Sequence, residues 1–194
     1  MQYNGFIDCE GSLAYQLNFL SNATDKSYRR YMEYIYIAPS ETGEEGALCG
    51  VATDGKRLHI VDPLCKSITE YGLIPGHWSI LKKLKKPIIW AARLNDIYTT
   101  APDMKFADYK KVMPTGKPEY TTTFSGFCLG SGTHRNFGEL ARFLHDFPDT
   151  TAINLNYLHD LGTDSKWSVE WYGANKALKF TESTMTAVIM PMIF

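Results

Sequence analysis

A four-residue turn between two apolar segments constrains the fold of this chain more than any other feature of its sequence. The turn is Thr53-Asp54-Gly55-Lys56, and it separates residues 47–52 from residues 57–61. An Asp-Gly pair between two strand-like segments is a strong local signal of a β-hairpin. The sequence therefore predicts a pair of antiparallel strands on either side of this turn.

The spacing of apolar residues changes between two periods along the rest of the chain. Segments rich in aromatic and β-branched residues predict further strands at residues 31–37, 88–94, 97–100, 167–171, 177–180 and 186–190. Apolar residues spaced three and four apart predict helices at residues 12–21, 77–86, 136–146 and 154–161. A short helix followed by a strand that carries Trp occurs once in each half. The chain is therefore predicted to contain two copies of one α+β unit.

Composition and charge exclude several classes of protein. The net charge is −1, so any attraction to nucleic acid must come from a local basic surface. No apolar run is long enough to cross a bilayer, and the N-terminus carries no basic leader, so we predict a cytoplasmic protein. The four cysteines form no CxxC pair, which removes the usual zinc signature. We expect no cofactor, no metal and no membrane partner.

The sequence contains no motif typical of a catalytic site. A phosphate-binding loop, GxSxG and HExxH are all absent. His59 and Asp62 have a metal-like spacing, but no third ligand lies nearby in the sequence. An acid–base site would require the fold to bring together His134, His145, His159, Asp146 and Asp160. We predict that the protein is not an enzyme, and this His/Asp set is the remaining enzymatic alternative.

Four stretches, in order along the chain, resemble the bacterial sliding clamp, which is the β subunit of DNA polymerase III. Residues 51–58 read VATDGKRL, where the family typically has ATDGHRL. Residues 106–114 read FADYKKVMP, similar to the family's FPDYRRVLP. Asn154 and Tyr157 match an N-x-x-Y at the start of a helix. Residues 188–192, VIMPM, are similar to the VMPM or IMPM at the end of the family's sequences.

The resemblance implies an α+β fold of two DNA-clamp-like domains, each with two helices packed on an antiparallel sheet. Residues 1–114 would correspond to the middle domain of the family, and residues 119–194 to an abbreviated last domain. Six such domains surround duplex DNA in the family. Three copies of this chain would supply them, which makes a homotrimer the candidate assembly.

The same resemblance implies a role in DNA replication. The family tethers a polymerase to DNA without doing chemistry, so we expect a sliding clamp-like processivity factor of a compact kind, such as a phage or mobile element encodes. Its expected partners are duplex DNA, bound without sequence preference, and a DNA polymerase and clamp loader that carry linear motifs. The alternative is a non-encircling adaptor or decoy that binds clamp-motif peptides.

In the clamp family, partner motifs dock in a pocket between the middle and last domains and at the C-terminus. Met190 and Met192 would supply flexible thioethers that adapt to varied apolar side chains. Pro191 is expected to stop the last strand because it has no N–H. Carried over position by position, the pocket would use Thr53, Gly55, Lys56, Arg57, Leu58, Lys111, Val112, Asn154, Tyr157, Val188, Ile189, Met190, Pro191 and Met192.

A ring that slides along DNA holds the phosphate backbone through diffuse Lys and Arg side chains. A solvated helix face is the alternative explanation for the lysines of residues 82–86. The second half of the chain offers fewer basic residues, among them Arg142. The candidate DNA-binding residues are Lys26, Arg29, Arg30, Lys82, Lys83, Lys85 and Lys86.

Overall fold

The computed structural model describes residues 11–25, 29–42, 45–64, 72–75, 105–125, 137–146, 151–162 and 166–192. These residues form an α+β fold whose paired strands are antiparallel, as the sequence predicts. The chain divides into two compact units. Met1–Gly55 and His59–Ala107 form the first unit, and Lys56–Leu58 with Asp108–Phe194 form the second. The helix predicted at 77–86 and the strands predicted at 88–94 and 97–100 lie outside the described residues.

The first unit places a helix against a small antiparallel sheet. Its elements are α1 (Gly11–Asn22), β1 (Tyr34–Pro39), β2 (Leu48–Thr53), β3 (Arg57–Val61) and β4 (Gly72–Pro75), except that Arg57 and Leu58 of β3 belong to the second unit. The strands follow the order β4-β1-β2-β3, and β1 pairs in antiparallel fashion with both β2 and β4. Residues 31–33 were predicted as strand but belong to a short 3-10 helix, Arg30–Glu33, so β1 starts later than predicted.

Gly50 allows α1 to approach β2 closely. Five of the six residues of β2 are buried, and Gly50 lies in the middle of that strand. A Cβ atom on Gly50 would lie 2.6 Å from Cδ1 of Leu20 on α1 and 3.2 Å from Cδ1 of Leu64. Both leucines are buried, so neither can move aside into solvent. The absence of a side chain at this position is therefore a packing requirement.

His59 and Asp62, whose spacing resembles a metal site, have separate partners in the first unit. Nδ1 of His59 lies 2.6 Å from the backbone carbonyl oxygen of Phe19, which accepts the ring N–H. The His59 ring is fully buried and stacks on the Phe19 ring with centroids 4.2 Å apart. The carboxylate of Asp62 accepts a hydrogen bond from Ser40 Oγ. Among the described residues, no group of three or more His, Cys, Asp or Glu side chains could hold a metal ion.

The second unit is a four-stranded antiparallel sheet with helices inserted after its first strand. The elements are β5 (Tyr120–Ser125), α2 (Phe137–Asp146), α3 (Leu155–His159), β6 (Lys166–Trp171), β7 (Leu178–Glu182) and β8 (Met185–Ile189). The strands follow the order β8-β7-β6-β5, so each strand pairs with its neighbour in the chain. The helices confirm the predictions at 136–146 and 154–161, with slightly shorter bounds.

An aromatic cluster forms the core beneath α2. The ring centroid of Phe124 on β5 lies 4.8 Å from that of Phe143 on α2 and 6.1 Å from that of Phe180 on β7. Trp167 on β6 is also completely buried. These side chains lie on the helix and on three adjacent strands, and burial of such large aromatic rings contributes strongly to the stability of a small unit. No helix in the described part of the chain has the length and apolarity needed to cross a membrane.

Candidate partner-binding site

The C-terminal segment of the second unit is held on both sides of a proline. Strand β8 ends at Ile189, as expected from the missing N–H of Pro191. The N–H of Met190 donates to the carbonyl oxygen of Lys56 at 2.9 Å. Pairing then resumes beyond the proline, because the N–H of Met192 donates to the carbonyl oxygen of Ala152 at 2.8 Å. The backbone of this segment is therefore fixed at two points, with Pro191 between them.

Exposure changes abruptly within this segment. Val188 and Ile189 are buried in the core of the second unit. Met190 is 42% exposed and Met192 is 44% exposed. The tail therefore serves two purposes: its strand completes a hydrophobic core, and its last two described methionines present thioethers at the surface.

Helix α3 is anchored at its N-terminus by side-chain hydrogen bonds. Asn154 is the N-cap, and its side-chain oxygen accepts the backbone N–H of Asn156 at 3.0 Å. Just before the helix, the indole N–H of Trp171 donates to Thr151 Oγ1 at 3.1 Å. Asn154 thus has a local structural role that accounts for its position, independent of any partner. On α3 itself, Leu155 is 37% exposed.

Arg57 links the start of β3 to α3. Its Nη1 donates to Oδ2 of Asp160 at 2.5 Å, and its guanidinium carbon lies 4.5 Å from the centroid of the Tyr157 ring. The Arg57 side chain is only 10% exposed. The structure therefore brings Arg57 and Tyr157 together, and it adds Asp160, which was considered from sequence only as part of an acid–base set.

The other hairpin candidates differ in their surroundings. Gly55 has a φ of +84°, which favours glycine, and its N–H donates to Thr53 Oγ1 at 3.0 Å. Thr53 and Gly55 belong to the first unit. Lys56 and Leu58 belong to the second unit, where Lys56 is exposed and Leu58 is buried.

Lys111 and Val112 lie in a 3-10 helix, Tyr109–Val112, within the second unit. Val112 is 51% exposed, so its side chain is available at the surface of this unit. Nζ of Lys111 lies 3.3 Å from Oδ2 of Asp108, and both side chains are mostly exposed. An exposed pair of this kind contributes little to stability.

Most of the candidate DNA-binding residues lie outside the part of the chain that the structure describes. These are Lys26, Lys82, Lys83, Lys85 and Lys86. Arg29 is exposed, and its Nη1 donates to the hydroxyl oxygen of Tyr31 at 3.4 Å. Arg30 begins the 3-10 helix that precedes β1. The DNA-binding surface therefore stays a prediction.

The histidines considered for acid–base chemistry contact the aspartates that follow them in the chain. Nδ1 of His145 lies 3.4 Å from Oδ1 of Asp146, and Nδ1 of His159 lies 3.5 Å from Oδ1 of Asp160. His134 lies outside the described residues. Contacts between chain neighbours of this kind occur at many helix ends and do not by themselves define a catalytic site.

A polar cluster on β6 and β7 was not anticipated from the sequence. Glu170 and Lys179 face each other across the strands, and Lys179 Nζ donates to Glu170 Oε2 at 2.9 Å. This hydrogen bond holds the pKa of Glu170 below its ordinary value. Burial, together with a hydrogen bond to Glu170, raises the pKa of Tyr172 to about 12. The sequence signal for this pairing is the short connection between the predicted strands at 167–171 and 177–180, because counting outward from such a connection gives the register of the two strands.

Comparison with known proteins identifies the class of fold. No family model matches the sequence, and no curated protein matches it. Solved structures of bacterial DNA sliding clamps do match, so the chain has the sliding-clamp fold.

The matches extend over the whole of this chain at low sequence identity. DNA polymerase III subunit β from Borrelia burgdorferi, solved with a natural product, has a TM-score of 0.61 at 13% identity, covering 100% of this chain and 64% of its own. A C. crescentus β sliding clamp has a TM-score of 0.62 at 14% sequence identity, and the match covers 100% of this chain and 68% of that clamp. The Pseudomonas aeruginosa sliding clamp has a TM-score of 0.61 at 14% sequence identity, and the match covers 100% of this chain and 68% of that clamp. This chain thus spans about two thirds of the length of the clamps that it resembles.

Proposed function

We propose that this protein is a sliding clamp-like processivity factor that binds partner proteins through a short apolar peptide motif at its C-terminal segment. The observation that carries the proposal is the exposure of Met190 and Met192 on a backbone that is hydrogen-bonded to Lys56 and Ala152. Two exposed methionines on a fixed backbone suit a site that must accept several related peptides, because thioether side chains change rotamer easily.

In this proposal, the exposure of each remaining candidate residue decides whether it can contact a peptide directly. Val112 and Leu155 are exposed apolar side chains of the same unit and are the further candidate contacts for a peptide. The buried residues Leu58, Val188 and Ile189 support the segment from beneath, since a partner cannot reach side chains that are 2% exposed or less. Thr53, Gly55, Lys56 and Lys111 are retained as predicted contacts on the strength of the sequence resemblance alone.

The peptide site is tested by truncating the two methionines. We expect Met190→Ala and Met192→Ala each to weaken binding several-fold, and the double variant to weaken it at least about tenfold, because each loses buried thioether area in the complex. The measurement is fluorescence anisotropy with a labelled peptide that carries the clamp-binding motif of a bacterial DNA polymerase. Thermal unfolding should change little, since both side chains are already exposed.

Leu144→Ala is the matched control. Leu144 on α2 is 40% exposed, which is comparable with the two methionines. If peptide binding depended only on exposed apolar surface in general, Leu144→Ala would weaken it to the same extent. Peptide affinity that is unchanged in the double variant would disprove the site.

The encircling role depends on assembly. Six clamp-like domains surround DNA in the clamp family, and we propose that three copies of this chain supply them around duplex DNA. Light scattering over a wide concentration range at low and moderate salt measures the mass in solution. A stable trimer is the expected result, and retention of the trimer on circular but not linear DNA would follow from a closed ring.

The second candidate function is a clamp-like adaptor that binds the same peptides without encircling DNA. It requires only the exposed Met190 and Met192 on their hydrogen-bonded backbone, and no closed assembly. A monomer at every concentration, with peptide binding intact, would favour the adaptor over the ring.

A further inference from the structure

The methionines that the structure describes differ sharply in exposure. Met32 in the first unit and Met185 on β8 are buried, whereas Met190 and Met192 are exposed. Met113 is intermediate. A water-soluble oxidant reaches a thioether sulfur only where the side chain meets solvent. We therefore expect such an oxidant to react with Met190 and Met192 before it reacts with the two buried methionines.

The reaction at each sulfur is the transfer of one oxygen atom from hydrogen peroxide. The O–O bond of the peroxide breaks, an S–O bond forms, and the rest of the peroxide leaves as water. The sulfur is oxidised by two electrons and the peroxide is reduced by the same two, so the step needs no other reactant. The product, methionine sulfoxide, is a polar side chain in place of an apolar one.

The fold holds this segment through atoms other than sulfur. The N–H of Met190 donates to the carbonyl oxygen of Lys56, and the N–H of Met192 donates to the carbonyl oxygen of Ala152. Ile189, the last residue of β8, is buried and anchors the segment in the core. A sulfoxide oxygen on an exposed side chain can hydrogen-bond to water. We therefore expect oxidation of the two exposed methionines to change the surface without unfolding the second unit.

We propose that Met190 and Met192 form a reversible oxidation site, at which hydrogen peroxide switches off peptide binding to the C-terminal segment. This inference rests on the proposed peptide-binding function and adds the regulation of that site. An apolar peptide side chain packs well on a thioether. On a sulfoxide, the same contact displaces water from the S–O oxygen and leaves this acceptor without a donor. Oxidation therefore penalises the complex and not the free protein, and methionine sulfoxide reductases can reverse it.

The test measures oxidation and binding in the same sample. The full chain is treated with graded hydrogen peroxide, the peroxide is removed, and dithiothreitol then reduces cysteine disulfides and sulfenic acids but not methionine sulfoxide. Peptide mapping by mass spectrometry gives the sulfoxide fraction at each methionine. Fluorescence anisotropy gives the affinity for a labelled peptide with the clamp-binding motif of a bacterial polymerase and no methionine or cysteine. We expect Met190 and Met192 to be oxidised first and the affinity to fall at least about tenfold as they are.

Two variants and one enzyme treatment assign the effect to these sulfur atoms. The double variant Met190→Leu with Met192→Leu keeps apolar side chains of similar volume that peroxide cannot oxidise. Peroxide should change its affinity less than about twofold from its own untreated value. Met113→Leu removes a partly exposed thioether elsewhere in the second unit, so it should lose affinity on treatment as the wild type does. Methionine sulfoxide reductases A and B should restore the affinity of the treated wild type, and its thermal unfolding should change little.

The outcomes distinguish the switch from the function on which it rests. An untreated wild type that does not bind the peptide would overturn both. Untreated binding that persists when Met190 and Met192 are mapped as sulfoxides would overturn the switch alone. Oxidation of Met32 and Met185 ahead of the exposed pair, or an equal loss of affinity in the double leucine variant, would also overturn it. A loss confined to proteins that keep both exposed thioethers, and reversed by the reductases, would support the switch.

Discussion

Replacing Phe124 with alanine is expected to lower the free energy of unfolding of the second unit by about 4 kcal/mol. Phe124 is fully buried, and its ring contacts Phe143 on α2 and Phe180 on β7. The substitution removes the central ring of this cluster and leaves a cavity between a helix and a sheet. The pairing of β5 with β6 and of β6 with β7 holds the sheet in place, so the space cannot close fully and both the transfer term and the cavity term apply.

Hydrogen exchange of the backbone amides of β5, β6 and β7 measures this loss in the unit where it occurs, because the most protected amides report global opening. Leu144→Ala is the control, since Leu144 is 40% exposed on the same helix and its truncation should cost well under about 1 kcal/mol. A loss below about 1 kcal/mol for Phe124→Ala would contradict the packing described for this core.

Replacing Gly50 with valine is expected to destabilise the first unit by about 3 kcal/mol. Even a single Cβ atom would lie 2.6 Å from Leu20 and 3.2 Å from Leu64. Both of these side chains are buried, so α1 must move away from β2 to admit the new methyl groups. Overpacking of this kind forces side chains off their rotamers and shifts the backbone, which is costly in an interior already at full density.

The amides of α1 and β2 should lose protection against hydrogen exchange in the Gly50→Val variant. Gly138→Val is the matched control, because a Cβ at Gly138 on α2 meets nothing within 4 Å. Glycine and valine also differ little in helix propensity, so this control should stay within about 0.5 kcal/mol of the wild type. Equal losses in the two variants would show that the contact with Leu20 is not what excludes a side chain at position 50.

Much of the local structure could be predicted from the sequence because its signals are short-range. The Asp-Gly turn before β3, the apolar spacing of α1 and α2, and the start of α3 next to Asn154 each depend on a few neighbouring residues. The Pro191 prediction was right for the end of β8 but missed the renewed pairing of Met192, which depends on a residue far away in the chain.

Strand β5 was missed because its sequence carries no apolar alternation. Residues 120–125 read YTTTFS, and only Phe124 among them is fully buried. Threonine favours extended backbone because its β-branch restricts χ1. The strand forms the end of its four-stranded sheet, where one side pairs with β6 and polar side chains are tolerated. Its position therefore depends on the partner strand more than on its own hydrophobicity.

The ion pair at the candidate site could not be derived from the sequence. Arg57 and Asp160 are separated by 103 positions, and neither lies in a motif that names the other. The resemblance to clamps implies that Arg57 contacts a peptide, which stays a prediction, and the structure adds contacts of its guanidinium with Asp160 and Tyr157. The sequence alone does not show that an arginine is nearly buried. The carboxylate that pairs with it is known only once the fold is known.

The hydrogen bonds on either side of Pro191 determine when the C-terminal segment becomes ordered. Fixing one residue of a disordered chain costs about 1–2 kcal/mol of conformational entropy. In this chain the entropy cost of ordering the segment is part of the free energy of folding, because the amides of Met190 and Met192 are already hydrogen-bonded to the carbonyl oxygens of Lys56 and Ala152. In the proposed function, a ligand on Met190 and Met192 meets a fixed main chain with adjustable thioethers, so differences among ligands are expected to be accommodated by methionine rotamers rather than by folding of this segment on binding.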